Sequence, residues 1–579
     1  MMTAADIYKE NFDNLWAERQ TFQTQWQEVV DLVRPNAKYF MRDGYQGDRR
    51  TLRIYDATAV LACGELAGGL QSYLVNPSER WFNYVVKDPK GTSSDTLMQD
   101  DDVLLWLEIV SDIIYTYYSF PRTAFNPTIN ELFGDLAAFG TSGMYQDWDY
   151  DTEQLRFRTI PLADMFIDEN GHGMVDTIYR CVFYTYRRAK QVFGEDLPAK
   201  LIKDGEKEGM DGRKKYKFLH VVEPNESYDR RQLMTQPTGK GKVSNMPYKS
   251  VWVWLEGGDQ VTPSGSPCII GDREKGFRTN PYVTPRWQKV PNEVYGRSPA
   301  IDLLPTIKML NASSRVLIGA SEKVIDPPIL VPDDNFLGPI RTLPGALIKY
   351  DSTTPNIRDR VVPLETKANI PVGREFIKDL QDVIDRGFHL DYLRAERKKE
   401  RQSVQEIHDD RDEMLRLLAP ILGRQEAELL GQTLSRTYNI LNMEGKIPPC
   451  PHKIRHMRVF PEYVSPAARA QSGSRALEIG QFMQDILPYT QLDPNIADIV
   501  DTDEAARQIA IARDITRRVI RNKRDIDKIR KQRQAQQQMQ QMAQVGEQAS
   551  SAIKNLGQGQ QAFAAAQGTG PQFQGRSTQ

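Results

Sequence analysis

The chain has 579 residues, of which 75 are Lys or Arg and 77 are Asp or Glu, so its formal net charge is −2. Apolar residues make up 40% and aromatic residues 9%, which is enough to fill a sizeable core and excludes wholesale disorder. The near-zero sum argues against a polybasic nucleic-acid binder, although a sum does not say where the charges lie.

The length suggests about four folding units. The cysteines lie too far apart for a metal or redox motif, which favours reduced thiols in a cytosolic setting; they are Cys63, Cys181, Cys268 and Cys450. The first ten residues lack a basic region followed by an apolar run, so we expect no secretory signal. The longest apolar stretches are interrupted by Glu65 and Glu108 and are shorter than the ~20 residues that a membrane helix needs. We therefore expect a soluble protein with no membrane partner.

The first 140 residues show apolar side chains at three- and four-residue steps, which predict helices at 6–33, 56–74, 100–118 and 126–140. Pro35 ends the first of these, and the acidic run Asp100–Asp102 suits the N-terminus of the third. From about 141 to 290, short aromatic or β-branched segments alternate with turn residues and predict an antiparallel β region. Its strands are expected at Met144–Trp148, Leu155–Ile160, Ile178–Tyr186, Lys217–Val222 and Val251–Leu255, with loops at Asp204–Lys215 and 236–250.

A helix is predicted at 299–324, followed by a proline-rich stretch, 325–370, that leaves room only for short strands such as Ile329–Val331 and Ala346–Tyr350. A second helix is predicted from Val372 to about Phe388, and the charged connector Asp391–Gln402 follows it. Together these patterns predict an α+β protein that is mainly α.

The sequence Ser403-Val-Gln-Glu406 is a capping box, and it begins a long helical pattern that runs through Leu441 and ends before Pro448-Pro449. A final helical section begins near Pro466. In it Asn522 shares an apolar seam, a position that can fix the register of a helical assembly; the other seam residues are Ala512, Ile515, Val519, Ile526 and Ile529. The last 46 residues, 534–579, include 15 Gln, and we expect their end to be disordered.

The motifs of several enzyme classes are missing from the sequence. A P-loop needs Gly, four residues, and then Gly-Lys-Ser/Thr, and none of the Gly-Lys pairs meets both requirements. There is no Gly-x-Ser-x-Gly elbow and no His-Glu-x-x-His helix. The six histidines are scattered, so the sequence nominates no catalytic residue and we expect no enzyme and no cofactor.

Two metal patterns are also weak. Asp147, Asp149 and Asp151 alternate as in a calcium loop, but the positions that need Gly and Glu hold Thr152 and Arg158, which favours a hairpin turn. Three potential zinc ligands lie close together in a proline-rich loop without a fourth, namely Cys450, His452 and His456. We predict no metal site.

Two charge clusters remain. Residues 391–402 carry a local charge of +2, and residues 511–533 carry ten Lys or Arg against three Asp, a local +7 that leaves −9 on the rest of the chain. Such clusters attract phosphate backbones without reading sequence, although charged runs more often form a solvated helix face. From the residues alone both readings stay open.

The order of several motifs resembles that of the portal, or head-to-tail connector, proteins of short-tailed bacteriophages. The motifs are Trp16-Ala-Glu-Arg19 with Trp26 and Pro35, Arg53-Ile-Tyr-Asp56 leading to Leu66-Ala-Gly-Gly-Leu70, Asn76-Pro-Ser-Glu-Arg-Trp81-Phe82, Tyr295-Gly-Arg-Ser298-Pro before a helix with Asn311 and Ser314, and Arg401-Gln-Ser403-Val-Gln-Glu406-Ile407 before the helix that ends at Gly445-Lys-Ile-Pro448. The resemblance covers roughly residues 5–465.

This resemblance implies a ring-forming portal fold with wing, stem, clip and crown or barrel. The wing would be 1–298, with the β region at about 141–290, together with 403–465 as the long inner helix and its connection. The stem helices would be 299–324 and 371–388, the clip 325–370, the tunnel loop 389–402, the crown 466–533, and the Gln-rich tail 534–579. The tunnel loop would line a DNA channel with Arg394, Arg397, Lys398, Lys399 and Arg401. The crown helix would face DNA or a neighbouring subunit with Arg517, Arg518, Arg521, Lys523 and Arg524.

The resemblance further implies a homo-oligomer, typically of twelve subunits, at one capsid vertex of the virion, assembled in the host bacterial cytoplasm. Double-stranded DNA would pass through it during packaging and ejection. Its partners would be the terminase large subunit, the major capsid and scaffolding proteins, and head-to-tail adaptor or tail proteins. The alternatives are a non-portal DNA-binding adaptor that uses the basic helical segment 511–533, and an enzyme whose site is not recognised.

Overall fold

The computed structural model describes residues 3–42, 47–87, 100–209, 212–235, 244–258, 264–271, 275–327, 329–332, 343, 347–350, 362–363, 369–391, 418–455, 457–464, 478–486, 501–512, 526–540 and 542. The α-helices that position the site are α1 (Ala4–Leu32), α2 (Thr58–Leu74), α3 (Asp101–Ser119), α4 (Phe125–Phe139), α5 (Tyr186–Phe193), α6 (Ala199–Glu208), α7 (Pro299–Asp302), α8 (Leu304–Ile325) and α9 (Ile370–Gly387). Short 3-10 turns lie at Pro121–Thr123, Leu162–Asp164, Gly194–Asp196 and His452–Ile454.

A further helix, called the long helix below, consists of residues 418–425, a π-helical turn at Glu426–Leu430 and the α-helix Gly431–Met443. The predicted helical pattern through Leu441 is confirmed over its described part. The π turn is not visible in the sequence, because it depends on which side chains the helix must place against its neighbours. The capping box Ser403–Glu406 lies outside the described residues.

The strands are β1 (Phe82–Lys87), β2 (Gly143–Asp149), β3 (Gln154–Ile160), β4 (Met165–Glu169), β5 (Val175–Thr185), β6 (Lys215–Pro224), β7 (Tyr248–Glu256), β8 (Ser266–Ile269), β9 (Lys275–Phe277), β10 (Tyr282–Val283), β11 (Ile329–Pro332), β12 (Leu347–Tyr350), β13 (Val362–Pro363) and β14 (Arg458–Tyr463). Within the described residues these strands form four sheets, ordered β1-β14, β10-β2-β3, β12-β11-β13 and β4-β5-β6-β7-β8, with β9 also paired to β7. The mixed α and β architecture and the five predicted strands of the β region are confirmed.

The largest sheet has apolar residues on both faces, because consecutive side chains of a strand point in opposite directions. On one face Leu219 and Val253 pack in a cluster with Phe12 of α1. On the other face Phe218 and Trp254 pack in a cluster with residues of α5 and α6 such as Ala189 and Leu201. The pairing Leu219↔Val253 and Phe218↔Trp254 keeps both faces in register across β6 and β7.

The prediction that 141–290 is an antiparallel β region is incomplete, because α5 and α6 lie inside it. The predicted strand Ile178–Tyr186 ends at Thr185, and Tyr186 begins α5. The predicted loop Asp204–Lys215 is also wrong at its start, since α6 continues to Glu208. Both helices are short and highly charged, and a few buried apolar side chains that pack on the sheet decide their position.

Two further differences concern element boundaries. The predicted helix 299–324 is two helices, α7 and α8, because Pro305 in the first turn of α8 has no amide hydrogen to continue the hydrogen bonds of α7. Strand β1 was not predicted: it pairs with β14, which lies far along the chain, with Phe82 opposite Tyr463. Long-range pairing of this kind leaves no local signal. The predicted short strands in the proline-rich stretch are confirmed as β11 and β12, which pair in parallel, and β13 pairs antiparallel with β11.

The chain divides into two compact units. The first comprises Met1–Gly91, Ile109–Cys450 and Met457–Arg469, and the second comprises Thr92–Glu108, Pro451–His456 and Ala470–Gln579. Within the second unit, Arg530 donates to both carboxylate oxygens of Asp503, at 2.6 and 2.7 Å. Among the described residues no single helix has both the length and the apolarity to cross a membrane, although the bent pair Asp102–Ser119 and Pro121–Phe139 has them together.

Candidate functional site

The basic residues nominated from the sequence lie outside the described residues. These are Arg394, Arg397, Lys398, Lys399 and Arg401 of the charged connector and Arg517, Arg518, Arg521, Lys523 and Arg524 of the final helical section. The structure describes their chain neighbours instead. Helix α9 leads into the connector from one side and the long helix follows it on the other, so the candidate site is built from these helices and their supports.

Helices α8 and α9 pack against each other as an antiparallel hairpin. A Cβ built on Gly387 would lie 2.4 Å from Cδ1 of Leu303, and one built on Gly373 would lie 2.9 Å from Cδ1 of Leu317. The end of α9 therefore faces the start of α8, and the start of α9 faces a later part of α8. Both glycines allow a close approach of the two helices that a larger residue would prevent.

The base and the tip of the hairpin differ in burial. At the base, Leu304, Ile307 and Leu310 of α8 and Leu380 and Ile384 of α9 are buried. Beyond Ser314 no described side chain of α8 is buried, yet apolar residues continue. Large apolar side chains are exposed on both helices: Met309, Val316, Ile318, Val324, Ile325, Val372, Phe376 and Val383. A helix that exposes apolar stripes along its length is typical of an element that packs against a further partner.

Four of the five large exposed apolar residues of α8 form two stripes. Met309 and Val316 are seven residues apart, as are Ile318 and Ile325, so the members of each pair share one side of the helix. At about 100° per residue the two pairs lie about 200° apart around the helix axis. The hairpin therefore exposes apolar surface on two nearly opposite sides. The i, i+7 spacing was visible in the sequence, but its exposure was not.

The segment Arg53-Ile-Tyr-Asp56 attaches to both helices of the hairpin. The side chain of Asn311 accepts from the Tyr55 amide at 2.7 Å and donates to the Arg53 carbonyl at 2.8 Å. From α9, Gln381 donates to Asp56 at 2.9 Å. These residues are far apart in the sequence but meet at the base of the hairpin. Their contacts link the Arg53–Asp56 motif to the helix with Asn311 that follows the Tyr295 motif.

The segment Tyr295-Gly-Arg-Ser298-Pro fixes the start of the same hairpin. The Ser298 hydroxyl accepts from the Ile301 amide at 3.1 Å, which caps α7, and donates to the Ala138 carbonyl at 2.7 Å. Gly296 and Gly140 touch through their backbones, because a Cβ on Gly140 would lie 2.4 Å from the Gly296 carbonyl oxygen. Gly140 also has φ +76°, a conformation that favours glycine.

Aromatic side chains complete this junction. The Tyr295 ring lies 5.1 Å from the Trp26 ring of α1, and Trp26 donates to the Phe139 carbonyl at 3.2 Å. The segment before β1 forms a second aromatic junction, where the Trp81 ring stacks on Tyr118 at 6.2 Å. Four of the motifs are therefore found at two places, the base of the hairpin with the neighbouring ends of α1 and α4, and the junction of Trp81 with the end of α3. The segment Arg401–Ile407 of the remaining motif lies outside the described residues.

A buried ionic cluster fixes the long helix at its π turn. Arg286 is 1% exposed and donates to both oxygens of Glu428, at 2.9 and 3.3 Å, and to Glu169 at 2.8 Å. Lys289 donates to Glu169 at 2.6 and 2.7 Å. Burial acts to raise the pKa of Glu169, but the hydrogen bonds from Lys289 and Arg286 outweigh it and hold that pKa below its usual value. Nothing in the sequence singled out these residues, which come from three separate segments.

The predicted hairpin turn at the alternating aspartates is confirmed. Asp149 ends β2 and accepts from the Asp151 amide at 3.0 Å and from the Thr152 hydroxyl at 3.0 Å, and it pairs with Arg156 at 2.6 Å. Within the described part of the chain, no three His, Cys, Asp or Glu side chains are grouped so that they could hold a metal ion. His456, the third member of the other candidate metal set, lies outside the described residues.

Comparison with known proteins gives consistent matches over nearly the whole chain. A family model described as "Bacteriophage head to tail connecting protein" matches residues 5–520. The "Portal protein" of Salmonella phage epsilon15 is 25% identical over 550 residues, which covers 94% of this chain and 93% of that protein. The "Probable portal protein" of Bordetella phage BPP-1 is 24% identical over 533 residues, which covers 92% and 91% of the two chains.

Proposed function

Because the chain belongs to the bacteriophage head to tail connecting protein family, we propose that it forms a ring of about twelve subunits at one capsid vertex. Double-stranded DNA passes through this ring during packaging and ejection. The terminase large subunit docks on it first and head-to-tail adaptor or tail proteins later, while the major capsid and scaffolding proteins surround it during assembly. The observation that carries the proposal is the family match over residues 5–520.

The two apolar stripes of α8 support ring formation. In a cyclic ring each subunit meets two neighbours through two different surfaces, which together make a heterologous interface. The pairs Met309/Val316 and Ile318/Ile325 offer apolar surface on nearly opposite sides of one helix, as such an interface needs. A two-fold dimer would need only one self-complementary surface.

We assign the domains on the pattern expected for this family. The hairpin of α8 and α9 corresponds to the stem, and the sheet β12-β11-β13 between its helices corresponds to the clip. Residues 1–298 and 403–465 then make the wing, 389–402 the tunnel loop and 466–533 the crown. Proline-rich strands suit a clip, because proline limits uncontrolled pairing at sheet edges.

The proposed DNA contact is a loose electrostatic one. Arg394, Arg397, Lys398, Lys399 and Arg401 are interspersed with Asp391, Glu396 and Glu400, and phosphate contacts of this kind do not read sequence. Repetition around a ring multiplies a local charge of +2 into a basic collar. The acidic rest of the chain limits tight, wrapped binding, which suits a channel through which DNA slides.

Assembly is tested by electron microscopy and native mass spectrometry of the purified protein. We expect rings with a central hole and a mass near twelve times 66.2 kDa. A sharply monodisperse dimer under assembly-permissive conditions would refute the portal reading and favour the DNA-binding adaptor that uses 511–533. Hydrolysis of ATP by the pure protein would instead revive an enzymatic role.

The channel is tested by replacing Arg394, Arg397, Lys398, Lys399 and Arg401 with Gln together. We expect intact rings that package or retain less DNA. The matched control replaces five exposed basic residues of α5 and α6 with Gln, which removes the same charge elsewhere; they are Arg187, Arg188, Lys190, Lys203 and Lys207. Unchanged genome filling in the first variant, or an equal loss in the control, would contradict the proposed role of the connector.

A further inference from the structure

A cavity of about 660 Å³ lies along one side of the long helix. Its walls include the start of β5, the end of β14 and the segment 278–280, and its apolar lining includes Met174, Val175, Tyr248, Phe460 and Pro461. Gly431 also lines the cavity, and a Cβ at this position would lie 3.2 Å from the Tyr463 hydroxyl. The volume is in the range of sites that enclose a drug-sized ligand.

One end of this cavity holds a buried arginine whose charge is not paired. Arg436 is 5% exposed. Its Nε donates to the Gln146 carbonyl at 3.0 Å, and its Nη1 donates to the carbonyl and hydroxyl of Thr279 at 2.7 and 3.0 Å. Among the described residues, Nη2 has no acceptor and no carboxylate forms an ion pair with this guanidinium. Burial lowers the pKa of Arg436 to about 10, in spite of the nearby Tyr145 and Asp147.

Two other buried arginines can be compared with Arg436. Arg19 is 2% exposed and donates to neutral acceptors among the described residues, the backbone carbonyls of Leu162, Ala163 and Met165, and it does not line this cavity. Arg286, in contrast, is paired with acids. Glu428 of the long helix and Glu169 of β4 both form ion pairs with Arg286. Arg436 lies further along the long helix, and among the described residues its hydrogen bonds go only to neutral acceptors, while its guanidinium lies 5.5 Å from the centre of the Phe277 ring. A buried charge without a direct ion-pair partner is costly, and Arg436, unlike Arg19, borders an open cavity from which an anionic ligand can supply that partner.

A second unpaired arginine lines the same end. Arg278 precedes Thr279, to which Arg436 donates, so both arginines belong to one corner of the cavity. Arg278 is exposed, and within the described part of the chain it has no hydrogen-bond or ion-pair partner. Gln432 and Ser435, one turn before Arg436, add neutral polar groups to the lining.

The opposite end of the cavity has the reverse polarity. Glu426 lies there near the Tyr463 hydroxyl, about 15 Å from Arg436 along the helix. Burial raises the pKa of Glu426, and it also raises the pKa of Asp176, the other acid in the lining. Neither acid forms an ion pair with Arg278 or Arg436, so neither supplies the missing counter-charge.

We propose that this cavity, called the arginine cavity, binds an extended polypeptide segment of a partner protein, with Arg436 and Arg278 holding an acidic side chain of that segment. Guanidinium groups hold carboxylates through paired, charge-assisted hydrogen bonds. An extended chain advances about 3.3 Å per residue, so about five residues span the distance from the arginines to Glu426. The apolar walls accept the intervening side chains, and Glu426 receives backbone amides or a basic group.

The test uses the full-length protein and two hexapeptide mixtures that differ only at the third position, fixed as Glu in one and as Gln in the other. Equilibrium dialysis with mass spectrometry measures how much of each mixture is retained. We expect the Glu mixture to be retained about tenfold better, the ratio that one charge-assisted contact of about 1.4 kcal/mol gives. Arg278→Gln should bring the ratio close to one without affecting folding, because Arg278 is exposed and forms no hydrogen bond or ion pair with the described residues.

Arg187→Gln is the matched control, since Arg187 is an exposed arginine of α5 outside the cavity, and it should keep the wild-type ratio. Equal retention of both mixtures would overturn the proposal, as would a ratio that Arg278→Gln leaves unchanged. If inorganic phosphate at matched ionic strength displaces the Glu peptides, the cavity is a general oxyanion site and the polypeptide assignment is wrong. A cavity already filled by a neighbouring copy would retain neither mixture, which also contradicts a partner protein as occupant.

Discussion

Substitution of Val316 by Asp gives a direct test of the apolar stripes. Val316 is 71% exposed in the single chain and makes no described contribution to the core, so its replacement should leave the subunit folded. In the ring we expect this side chain to be covered by a neighbouring subunit. The variant should therefore weaken assembly without changing thermal unfolding of the isolated subunit.

The size of the effect follows from the exposed fraction. Full burial of a valine side chain contributes about 1.5–3 kcal/mol, so covering the exposed 71% contributes about 1–2 kcal/mol at each interface. An aspartate held against an apolar partner adds a further cost of roughly 1–3 kcal/mol. Together these give ~2–5 kcal/mol per interface, which weakens association between about 30-fold and several thousand-fold.

Sedimentation velocity and native mass spectrometry over a range of subunit concentrations measure this shift. We expect Val316→Asp to remain as small species at concentrations where the wild type forms rings, and Val316→Thr to be intermediate. Glu322→Gln is the control, because Glu322 is an exposed charged residue of the same helix. Wild-type assembly of Val316→Asp at every concentration would refute the assignment of this stripe to a subunit interface.

The other predictions concern the supports of the site. Gly140→Ala should destabilise the subunit by at least ~3 kcal/mol, because Gly140 has φ +76° and a Cβ would meet the Gly296 carbonyl oxygen at 2.4 Å. The control is Gly64→Ala in α2, which should be neutral or stabilising because a Cβ there meets nothing within 4 Å. Thermal unfolding measures both effects. Glu428→Gln should cost about 3 kcal/mol, because it leaves Arg286 buried with half of its counter-charge, and an unchanged melting temperature would contradict the role of this cluster. His220 is buried and hydrogen-bonded to Tyr282 and Ser250, and burial lowers its pKa from 6.5 to about 3. The contribution of the neutral imidazole to the free energy of unfolding is therefore fully present above pH 6.5. It decreases by ~1.4 kcal/mol per pH unit as the pH falls from 6.5 toward 3. Hydrogen exchange of β6, corrected for intrinsic rates, should show this loss in the wild type but not in His220→Gln.

The locations of most secondary-structure elements were predictable because their signals are local. Helix α1 follows from a regular apolar pattern that ends before Pro35, and β6 and β7 follow from alternating β-branched and aromatic residues. The elements that were missed depend on distant partners. Strand β1 exists because β14 pairs with it. Helix α6 is held by apolar contacts to the large sheet, on the face opposite to the one that α1 covers.

The candidate site was predictable in part. The sequence alone identified the Arg53–Asp56 and Tyr295–Pro299 motifs, but the structure shows why they matter, since both fix the base of one hairpin. The basic residues of the connector and of the final helical section lie outside the described residues, so their role remains a proposal. That Arg436 has no ion-pair partner among the described residues could not be predicted, because a sequence does not say which arginines form ion pairs.

The sequence by itself determined most of the helices, five strands of the β region and the character of the proline-rich segment, because these depend on the order of apolar and turn residues over short distances. It also determined that the near-neutral total is a sum of basic segments and an acidic remainder. Only the tertiary structure decided which apolar residues are covered, which charges are paired and where the cavity lies. Burial and pairing are properties of neighbours in space, and in this chain those neighbours come from segments that are far apart in the sequence.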